Sequence, residues 1–270
     1  MLDYFRLGHE QWTVKKSLPA KVFYFLLGHV NSTLRMDHHH IVRTIRALSP
    51  SRGSRILDAG CGFGGCALYL ARIFPSCEIV GMDINQDNIE NCKFISNKYS
   101  LENTSFFAQD LDTFEVIGQY DIIYCINVLE HIRDDDRLLR RFYSALNPGG
   151  HLLVYIPTDK WRSIFRDMSD IPEYVWDLAS PHKRDGYSED ELKKKVGAPG
   201  FKTAELRYVQ GIWGILTQEL TLLFWEHQRL NTVATLLFFP VSFPLGYVDS
   251  LVHYKSGNCI LMIARKPLKN

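Results

Sequence analysis

Residues 55–65 of this chain read Arg55-Ile-Leu-Asp-Ala-Gly-Cys-Gly-Phe-Gly-Gly65, a short apolar strand that runs directly into a glycine-rich loop. The residues that follow, Cys66–Phe74, place apolar side chains at helical spacing and stop before Pro75. This order predicts a strand, a loop and a helix in immediate succession. In an α/β sheet, ligands bind at such a unit, beside the carboxyl end of the strand.

Strand and helix patterns continue to alternate after this unit, joined by short connections. Such alternation predicts a doubly wound α/β sheet. After residue 157 the alternation loosens, although Phe201–Val209 and Asn258–Arg265 have the pattern of two more strands. The predicted strands of the regular part are Arg55–Asp58, Glu78–Asp83, Thr104–Ala108, Tyr120–Ile126 and His151–Ile156, and the predicted helices are Cys66–Phe74, Gln86–Tyr99 and Arg133–Ala145.

The length of 270 residues and a hydrophobic content of 46% suit one large domain with appended segments. The patterns divide the chain into five predicted parts. They are a helical N-terminal segment at 1–50, a ligand-binding core at 51–157, a loop with a helix and a strand at 158–210, an apolar helical insertion at 211–257 and a final strand at 258–270.

Charge and cysteine content argue against several classes of partner. The net charge is +1, from 31 basic and 30 acidic side chains. Duplex-binding proteins usually carry a basic surplus, so we expect no nucleic-acid partner. The 6 cysteines form no CxxC pair, which is typical of a reducing, cytoplasmic location. The run His38-His39-His40 predicts no metal site, because adjacent helical residues point in different directions.

The glycine pattern Gly60-Cys-Gly62-Phe-Gly-Gly65 fits two cofactors. Dinucleotide-binding domains place the same GxGxxG motif between a strand and a helix. Asp58 lies directly before the glycines, where a carboxylate would repel a pyrophosphate but attract the sulfonium and ammonium groups of S-adenosylmethionine. The loop therefore favours S-adenosylmethionine over NAD.

Two further acids end the second and third predicted strands. Asp83 can accept hydrogen bonds from two ribose hydroxyls, a role that both cofactors share. Ile84 would then lie against one face of the adenine. Asp110 can accept a hydrogen bond from the exocyclic amine of the adenine.

The chain contains, in order, Leu57-Asp-Ala-Gly-Cys-Gly62, Gly81-Met-Asp83, Gln109-Asp110, Tyr120-Asp121, Asn127-Val-Leu-Glu-His131 and Leu146-Asn-Pro-Gly-Gly150. In this order and spacing the motifs resemble those of class I S-adenosylmethionine-dependent methyltransferases, above all the quinone-biosynthesis and small-molecule subgroup. The resemblance runs from about Arg55 to Ile156. It implies a Rossmann-like, seven-stranded sheet whose last strand is antiparallel, and S-adenosylmethionine as the cofactor.

The resemblance also assigns roles to individual positions. Asp58 and Gly60 match the positions that hold the methionine moiety, and Asn127 matches a position that often meets the same end of the cofactor. The ribose and adenine positions match residues after the second and third strands. The residues expected to bind the cofactor are Asp58, Ala59, Gly60, Cys61, Gly62, Asp83, Ile84, Asp110, Leu111 and Asn127.

The catalytic residue is poorly specified, because the cofactor supplies the electrophile and the protein has to align the acceptor and sometimes remove a proton. His131 follows the fourth strand, and an imidazole with an ordinary pKa of about 6.5 suits a general base. Glu130 could act directly or orient it. His182 and Tyr187, in a loop that commonly faces the acceptor in the family, are the alternatives. Asp134-Asp135-Asp136 starts a predicted helix, where acids stabilise the N-terminus, so no metal is predicted.

The apolar insertion at 211–257 points to the acceptor. Pro240 and Pro244 interrupt its longest apolar run, and a membrane-spanning helix needs roughly 20 apolar residues, so a transmembrane span is not predicted. The insertion could be a lid that walls an apolar acceptor pocket, or a surface that lies on a membrane together with Leu18–Val30. The third alternative is a homodimer interface. The first two favour a hydrophobic or amphiphilic acceptor such as a lipid, quinone or polyketide.

Two other functions remain open at this point. The chain could bind S-adenosylmethionine as a regulatory or scaffold protein without chemistry, since intact motifs do not exclude that. An NAD-dependent oxidoreductase is disfavoured by Asp58.

Overall fold

The computed structural model of the chain describes residues 32–113, 118–165, 186–225, 241–242 and 244–268. The aromatic segment Leu18–Val30, the catalytic candidate His182 and residues 226–240 of the insertion lie outside these residues. Statements about the fold and the site concern the described part of the chain.

The described helices and strands follow one another largely as predicted. The chain enters the fold through one long helix, α1, and then alternates strands with helices up to strand β5. A last group of elements follows residue 186. In chain order they are α1 Ser32–Leu48, β1 Arg55–Ala59, α2 Gly65–Ile73, β2 Glu78–Asp83, α3 Gln86–Lys98, β3 Thr104–Ala108, β4 Tyr120–Ile126, a 3-10 turn Leu129–His131, α4 Asp135–Ala145, β5 Leu146–Pro157, α5 Glu189–Gly197, β6 Lys202–Val209, α6 Ile212–Trp225 and β7 Cys259–Arg265.

The strands form one seven-stranded sheet in the order β3-β2-β1-β4-β5-β7-β6. Strands β1 to β5 pair in parallel, and β7 is antiparallel to both of its neighbours, β5 and β6. The prediction of a doubly wound, seven-stranded α/β sheet with an antiparallel last strand is confirmed. The strand order reverses between β1 and β4, and such a switch point leaves a crevice at the carboxyl ends of the strands.

Apolar side chains cover both faces of the sheet. Helix α1 packs Ile41 and Ile45 on one face, together with α2, α3 and Ile56 of β1. Helix α4 packs Leu138 and Phe142 on the other face, together with α5. A central sheet covered by helices on both sides is what near-continuous apolar strands such as β1 require.

Polar residues mark the helix starts as the sequence indicated. The Ser188 hydroxyl accepts a hydrogen bond from the Glu191 N–H at 3.2 Å at the start of α5. Asp134 accepts one from the Arg137 N–H at 2.9 Å at the start of α4. The acids at 134–136 therefore begin a helix, and Lys195 bonds both Asp135 and Asp136.

Strand β5 begins earlier than predicted, at Leu146 and not at His151. The sequence Asn147-Pro-Gly-Gly150 suggested a turn, but the N–H of Gly149 donates to the carbonyl of Lys266 at 2.8 Å. Strand β5 pairs with β4 through a register shift between Tyr120 and Ile122. The segment after β7 of the same chain thus holds these glycines in the sheet, which local turn propensity could not reveal.

Candidate functional site

The glycine loop after β1 is fixed by hydrogen bonds to the end of β2. The N–H groups of Gly60 and Cys61 both donate to the carbonyl of Met82, each at 2.8 Å. The N–H of Gly62 donates to the Asp83 carboxylate at 2.8 Å. These bonds hold the loop across the carboxyl ends of β1 and β2, where the sequence placed the cofactor.

Gly60 and Gly62 of this loop are glycines for different structural reasons. Gly60 has a φ of +83°, and a Cβ there would lie 2.4 Å from Cγ2 of Val128, so packing alone requires glycine. At Gly62, with a φ of +52°, a Cβ would meet no atom of the described residues within 4 Å. The loop therefore presents an open side at Gly62, as a bound cofactor would need.

Asp58 lies beneath the loop, at the end of β1. Its side chain is 2% exposed, and the Tyr124 hydroxyl donates a hydrogen bond of 2.7 Å to its carboxylate. Burial raises the pKa of Asp58 to about 7, although the bond from Tyr124 opposes this effect. A cation bound next to it would favour the charged form. Contact between Asp58 and the methionine end of the cofactor stays a prediction.

Asp83 and Ile84 occupy the end of β2 as expected for ribose and adenine positions. One oxygen of Asp83 accepts from the Asn85 N–H at 2.9 Å and from Nδ2 of Asn88 at 3.2 Å. The carboxylate is thus held rigidly by the loop and by helix α3. Ile84 is 71% exposed, and Phe63 of the glycine loop is exposed too. Apolar side chains left in water beside a fixed carboxylate suit the adenine and ribose of one nucleoside.

The residues after β3 that were expected to contact the adenine lie in two different environments. Asp110 is half-buried and accepts a hydrogen bond from the Asp112 N–H at 2.8 Å, so its carboxylate is oriented by its own turn. The side chain of Leu111 is buried in the core, as is that of Ala59. These two residues can therefore face a cofactor only with their backbone atoms, and their contact with it stays a prediction.

A buried group of polar side chains lies at the ends of β4, β5 and β6, and we call Asp37, Asn127, Tyr155 and Gln210 the Asp37 cluster. Asp37, on α1, accepts hydrogen bonds from the Tyr155 hydroxyl at 2.6 Å and from Nε2 of Gln210 at 2.8 Å. Its other oxygen accepts from Nδ2 of Asn127 at 3.3 Å. Burial raises the pKa of Asp37 to about 6, against the lowering effect of these three bonds.

Sequence reasoning missed Asp37, Tyr155 and Gln210, although one signal was present. Asp37, Ile41 and Ile45 are spaced four residues apart along α1 and therefore share one helix face. Ile41 and Ile45 are completely buried. A carboxylate on the buried face of a helix needs partners, and this could have marked Asp37 as a functional or structural centre.

The catalytic candidates after β4 are in different environments. Glu130 is 1% exposed, and its Oε2 has no hydrogen-bond partner among the described residues. Burial raises the pKa of Glu130 to about 8. His131 is partly exposed, and its N–H donates to the Val128 carbonyl at 3.0 Å. At neutral pH Glu130 is thus mostly protonated, which suits a proton donor better than a base.

Tyr187 does not reach the cleft, which corrects its assignment as a catalytic candidate. Its side chain is completely buried, and its hydroxyl donates to Asp135 at 2.6 Å and to the carbonyl of Leu129 at 3.3 Å. A hydroxyl held in the core in this way braces α4 and the 3-10 turn and cannot meet an acceptor.

Neither a metal site nor a membrane span is found in the described ranges. No group of three or more His, Cys, Asp or Glu side chains there could hold a metal ion. Within the same ranges, every helix is too short or too polar to cross a bilayer.

We expect Glu130 to make the stability of the fold depend on pH. Its pKa rises from an ordinary 4.5 to about 8 on folding. The protonated carboxyl therefore stabilises the fold fully below pH 4.5, and this contribution is lost as pH rises through 8. Between pH 7 and pH 9 the loss is about 1 kcal/mol, or about 3 °C in melting temperature.

Thermal unfolding of the wild type and of Glu130→Gln at both pH values measures this effect. The variant should lack the part of the decrease in melting temperature that Glu130 causes. Subtracting the decrease in the variant from that in the wild type removes the contribution of other groups such as Asp58. Equal decreases in the two proteins would show that Glu130 does not titrate in this range.

Comparison with known proteins places the fold and the sequence in one family. A family model described as a methyltransferase domain matches residues 33–206. The carboxy-S-adenosyl-L-methionine synthase of Alteromonas mediterranea is 30% identical over 235 residues, which cover 84% of this chain and 83% of that protein. A ubiquinone biosynthesis O-methyltransferase of Azorhizobium caulinodans is 28% identical over 74% of this chain and 79% of its own length.

Other relatives match over a shorter stretch. The sterol 24-C-methyltransferase of Saccharomyces cerevisiae is 33% identical over 41% of this chain, and the match spans 30% of its length. A Synechococcus protein matches over 28% of its length. Among solved structures, coclaurine N-methyltransferase bound to N-methylheliamine and SAH has a TM-score of 0.60 at 16% identity, over 86% of this chain and 72% of that one. At this identity the structural likeness concerns the fold alone.

Proposed function

The chain belongs to the S-adenosylmethionine-dependent methyltransferase family, and from that premise we propose that it transfers a methyl group to a hydrophobic or amphiphilic small molecule. S-adenosylmethionine is the cofactor of the family, and its sulfonium supplies the methyl group. Two relatives are named for acceptors of this class, a sterol and a quinone, whereas others are named for polar acceptors such as trans-aconitate. The main support, however, comes from an apolar surface of this chain.

Five exposed apolar side chains form this surface, which we call the apolar face. Two lie at the start of α6, and Ile212 among them is 57% exposed. The others lie at 248–252, at the end of a short helical segment and in the turn after it. This segment is joined to α6 because the Gly214 N–H donates to Asp249 at 2.8 Å. Clusters of exposed apolar side chains often mark binding surfaces. The members are Ile212, Trp213, Val248, Leu251 and Val252.

The apolar face begins next to the Asp37 cluster. Gln210 belongs to the cluster, and Ile212 follows two residues later at the start of α6. Helix α1 contributes to both features, since Asp37 is the centre of the cluster and Arg43 donates to the carbonyl of Ser250 at 2.6 Å. An amphiphilic acceptor could therefore place its polar group near the cofactor and its apolar body along this face.

The residues of the chain would align the reaction and keep water out of it. Asp83 and the glycine loop would hold the cofactor, and the residues after β4 would face the acceptor atom. Where the acceptor loses a proton, His131 is the candidate base. Glu130, which is mostly protonated at neutral pH, is the candidate for orienting His131 or the acceptor by a hydrogen bond.

Methyl transfer into crude extracts tests the proposed function. The protein is incubated with S-adenosylmethionine carrying a radiolabelled methyl group and with either a lipid extract or a water-soluble metabolite extract. We expect label in an organic-soluble product, whose identification gives the acceptor. Label only in water-soluble products would contradict the proposed acceptor class, and no label with either extract would favour a regulatory protein. A thermal-shift screen should show stabilisation by S-adenosylmethionine and S-adenosylhomocysteine but not by NAD.

We further propose that the apolar face contacts a membrane surface, from which a lipophilic acceptor could enter. Leu251 is 50% exposed on this face, so Leu251→Asp should lower co-sedimentation with phospholipid vesicles by about fivefold or more, since it replaces an inserted apolar group by a charge. Affinity for S-adenosylhomocysteine should not change.

Leu268→Asp is the matched control for this experiment. Leu268 is 65% exposed and lies beside Gly149, near the amino end of β5. It is therefore at the end of the strands opposite to the apolar face. Equal vesicle binding by the wild type and both variants would argue against membrane contact through this face. A dimer that Leu251→Asp converts to a monomer would assign the face to a homodimer interface.

A further inference from the structure

The two amide side chains of the Asp37 cluster are oriented by the same carboxylate. Nδ2 of Asn127 and Nε2 of Gln210 each donate to Asp37. An amide that donates in this direction turns its carbonyl oxygen away from the carboxylate. The negative charge of Asp37 therefore determines which end of each side-chain amide is the nitrogen and which is the oxygen.

Both amide oxygens are buried and have no hydrogen-bond partner among the described residues. Gln210 is 2% exposed, so water does not reach its oxygen freely. A third such oxygen, Oε2 of Glu130, is electrostatically coupled to Asp37. Buried polar atoms are nearly always paired in native proteins, and an unpaired set points to a ligand that completes it.

The backbone at both amides adopts a conformation that is unfavourable for residues with a side chain. Asn127 has a φ of +51° and Gln210 a φ of +52°. Both follow the last residue of a strand, β4 and β6, at the edge where ligands bind in this fold. Such strained positions persist where the surroundings hold them, and they concentrate at functional sites.

We propose that the Asp37 cluster binds the polar group of the methyl acceptor through the amide oxygen of Gln210, next to Asn127, which is expected at the methionine end of the cofactor. A carbonyl oxygen only accepts hydrogen bonds, so this group must be a donor, which means a hydroxyl or an amine and excludes an ether, an ester or a ketone. The inference rests on the proposed function and narrows its acceptor to a lipophilic alcohol, phenol or amine. We assign Tyr155 only the positioning of Asp37, to which its hydroxyl donates.

Paired probes that differ only in the donor test this inference. Binding of 4-octylphenol and of its methyl ether, 4-octylanisole, to the protein loaded with S-adenosylhomocysteine is measured by titration calorimetry. The wild type should bind the phenol about tenfold more tightly, as expected for one buried hydrogen bond. Gln210→Met should reduce the affinity for the phenol to that for the anisole and leave the anisole unchanged.

Gln218→Met makes the same chemical change on α6, at a residue that takes no part in the hydrogen bonds of the cluster. It should keep the preference for the phenol, and thermal unfolding checks that both variants are folded. Octylamine, which is cationic at neutral pH, distinguishes the two donors, since tighter binding than the phenol assigns the cluster to an amine.

Equal binding of phenol and anisole by the wild type would overturn this inference and leave the proposed function standing. The same follows if Gln210→Met keeps the preference. Binding of none of the three probes would contradict the lipophilic acceptor of the proposed function as well. The comparison within the wild type remains decisive if Gln210→Met does not fold.

Discussion

Gly62→Ala should weaken the binding of S-adenosylmethionine by about 100-fold while leaving the protein folded. A Cβ at this position meets no atom of the described residues within 4 Å, so the fold has room for it. The φ of +52° costs an alanine about 1 kcal/mol, which a protein of this size tolerates. The added methyl group would, however, occupy the open side of the glycine loop, where the cofactor is expected. Because closely packed contacts do not yield, a steric conflict of about 3 kcal/mol follows, which corresponds to about 100-fold in affinity.

Gly60→Ala is the contrasting variant for this experiment. Its Cβ would lie 2.4 Å from Cγ2 of Val128, so it should lower the free energy of unfolding by about 2–4 kcal/mol. Calorimetric titration with S-adenosylmethionine and urea unfolding together separate the two effects. Normal cofactor affinity in Gly62→Ala would mean that the cofactor does not lie against this side of the loop.

Asp83→Ala should weaken the binding of S-adenosylmethionine by about 100-fold or more, since charge-assisted hydrogen bonds to two ribose hydroxyls contribute about 1.5–3 kcal/mol each. The carboxylate also accepts from the N–H groups of Gly62 and Asn85, at 2.8 and 2.9 Å. Removal of the carboxylate therefore loosens the glycine loop in addition to removing the hydrogen bonds to the ribose. Titration with S-adenosylmethionine and with adenosine measures both parts, because adenosine lacks the methionine end and reports on the nucleoside contacts alone.

Asp110→Ala is the comparison within the same nucleoside site. A single hydrogen bond to the exocyclic amine of the adenine predicts a loss of about tenfold. Asp110 orients itself through the Asp112 N–H, so the change should not disturb the glycine loop. A greater loss for Asp110→Ala than for Asp83→Ala would contradict the proposed placement of ribose and adenine.

Much of the fold followed from the sequence because local patterns and tertiary structure agree there. The strand of Arg55–Ala59, its glycine loop and helix α2 are each specified by residues close together in the chain. The same holds for the helix start at Asp134. Strand β5 was harder, because its first residues are held by the segment after β7, more than 100 residues away.

The places of the expected site residues in the fold were predicted best at the ends of strands. Asp83 and Ile84 lie where the sequence placed them, since the carboxyl end of a parallel strand fixes its position relative to the loop. Tyr187 illustrates the opposite case. Its place in a loop suggested the cleft, yet packing against α4 turned its hydroxyl to Asp135 in the core.

The Asp37 cluster could not be read from local patterns at all. Asp37 and Gln210 are 173 residues apart in the chain, and Asp37 and Tyr155 are 118 apart. Only the strand order brings their elements to one edge of the sheet. The unpaired amide oxygens, which carry the inference about the acceptor, depend on this long-range arrangement.

The strand order itself has a consequence for how such a protein can diversify. Most of the expected cofactor residues follow β1, β2 and β3, on one side of the switch point. The proposed acceptor residue Gln210 follows β6 on the other side, and Asn127 lies between the two groups, after β4. Substitutions in one half can accumulate without altering the chemistry that the other half supports. A new acceptor can thus be acquired by remodelling α1, α6 and the ends of three strands, while an inherited half continues to deliver the same activated methyl group.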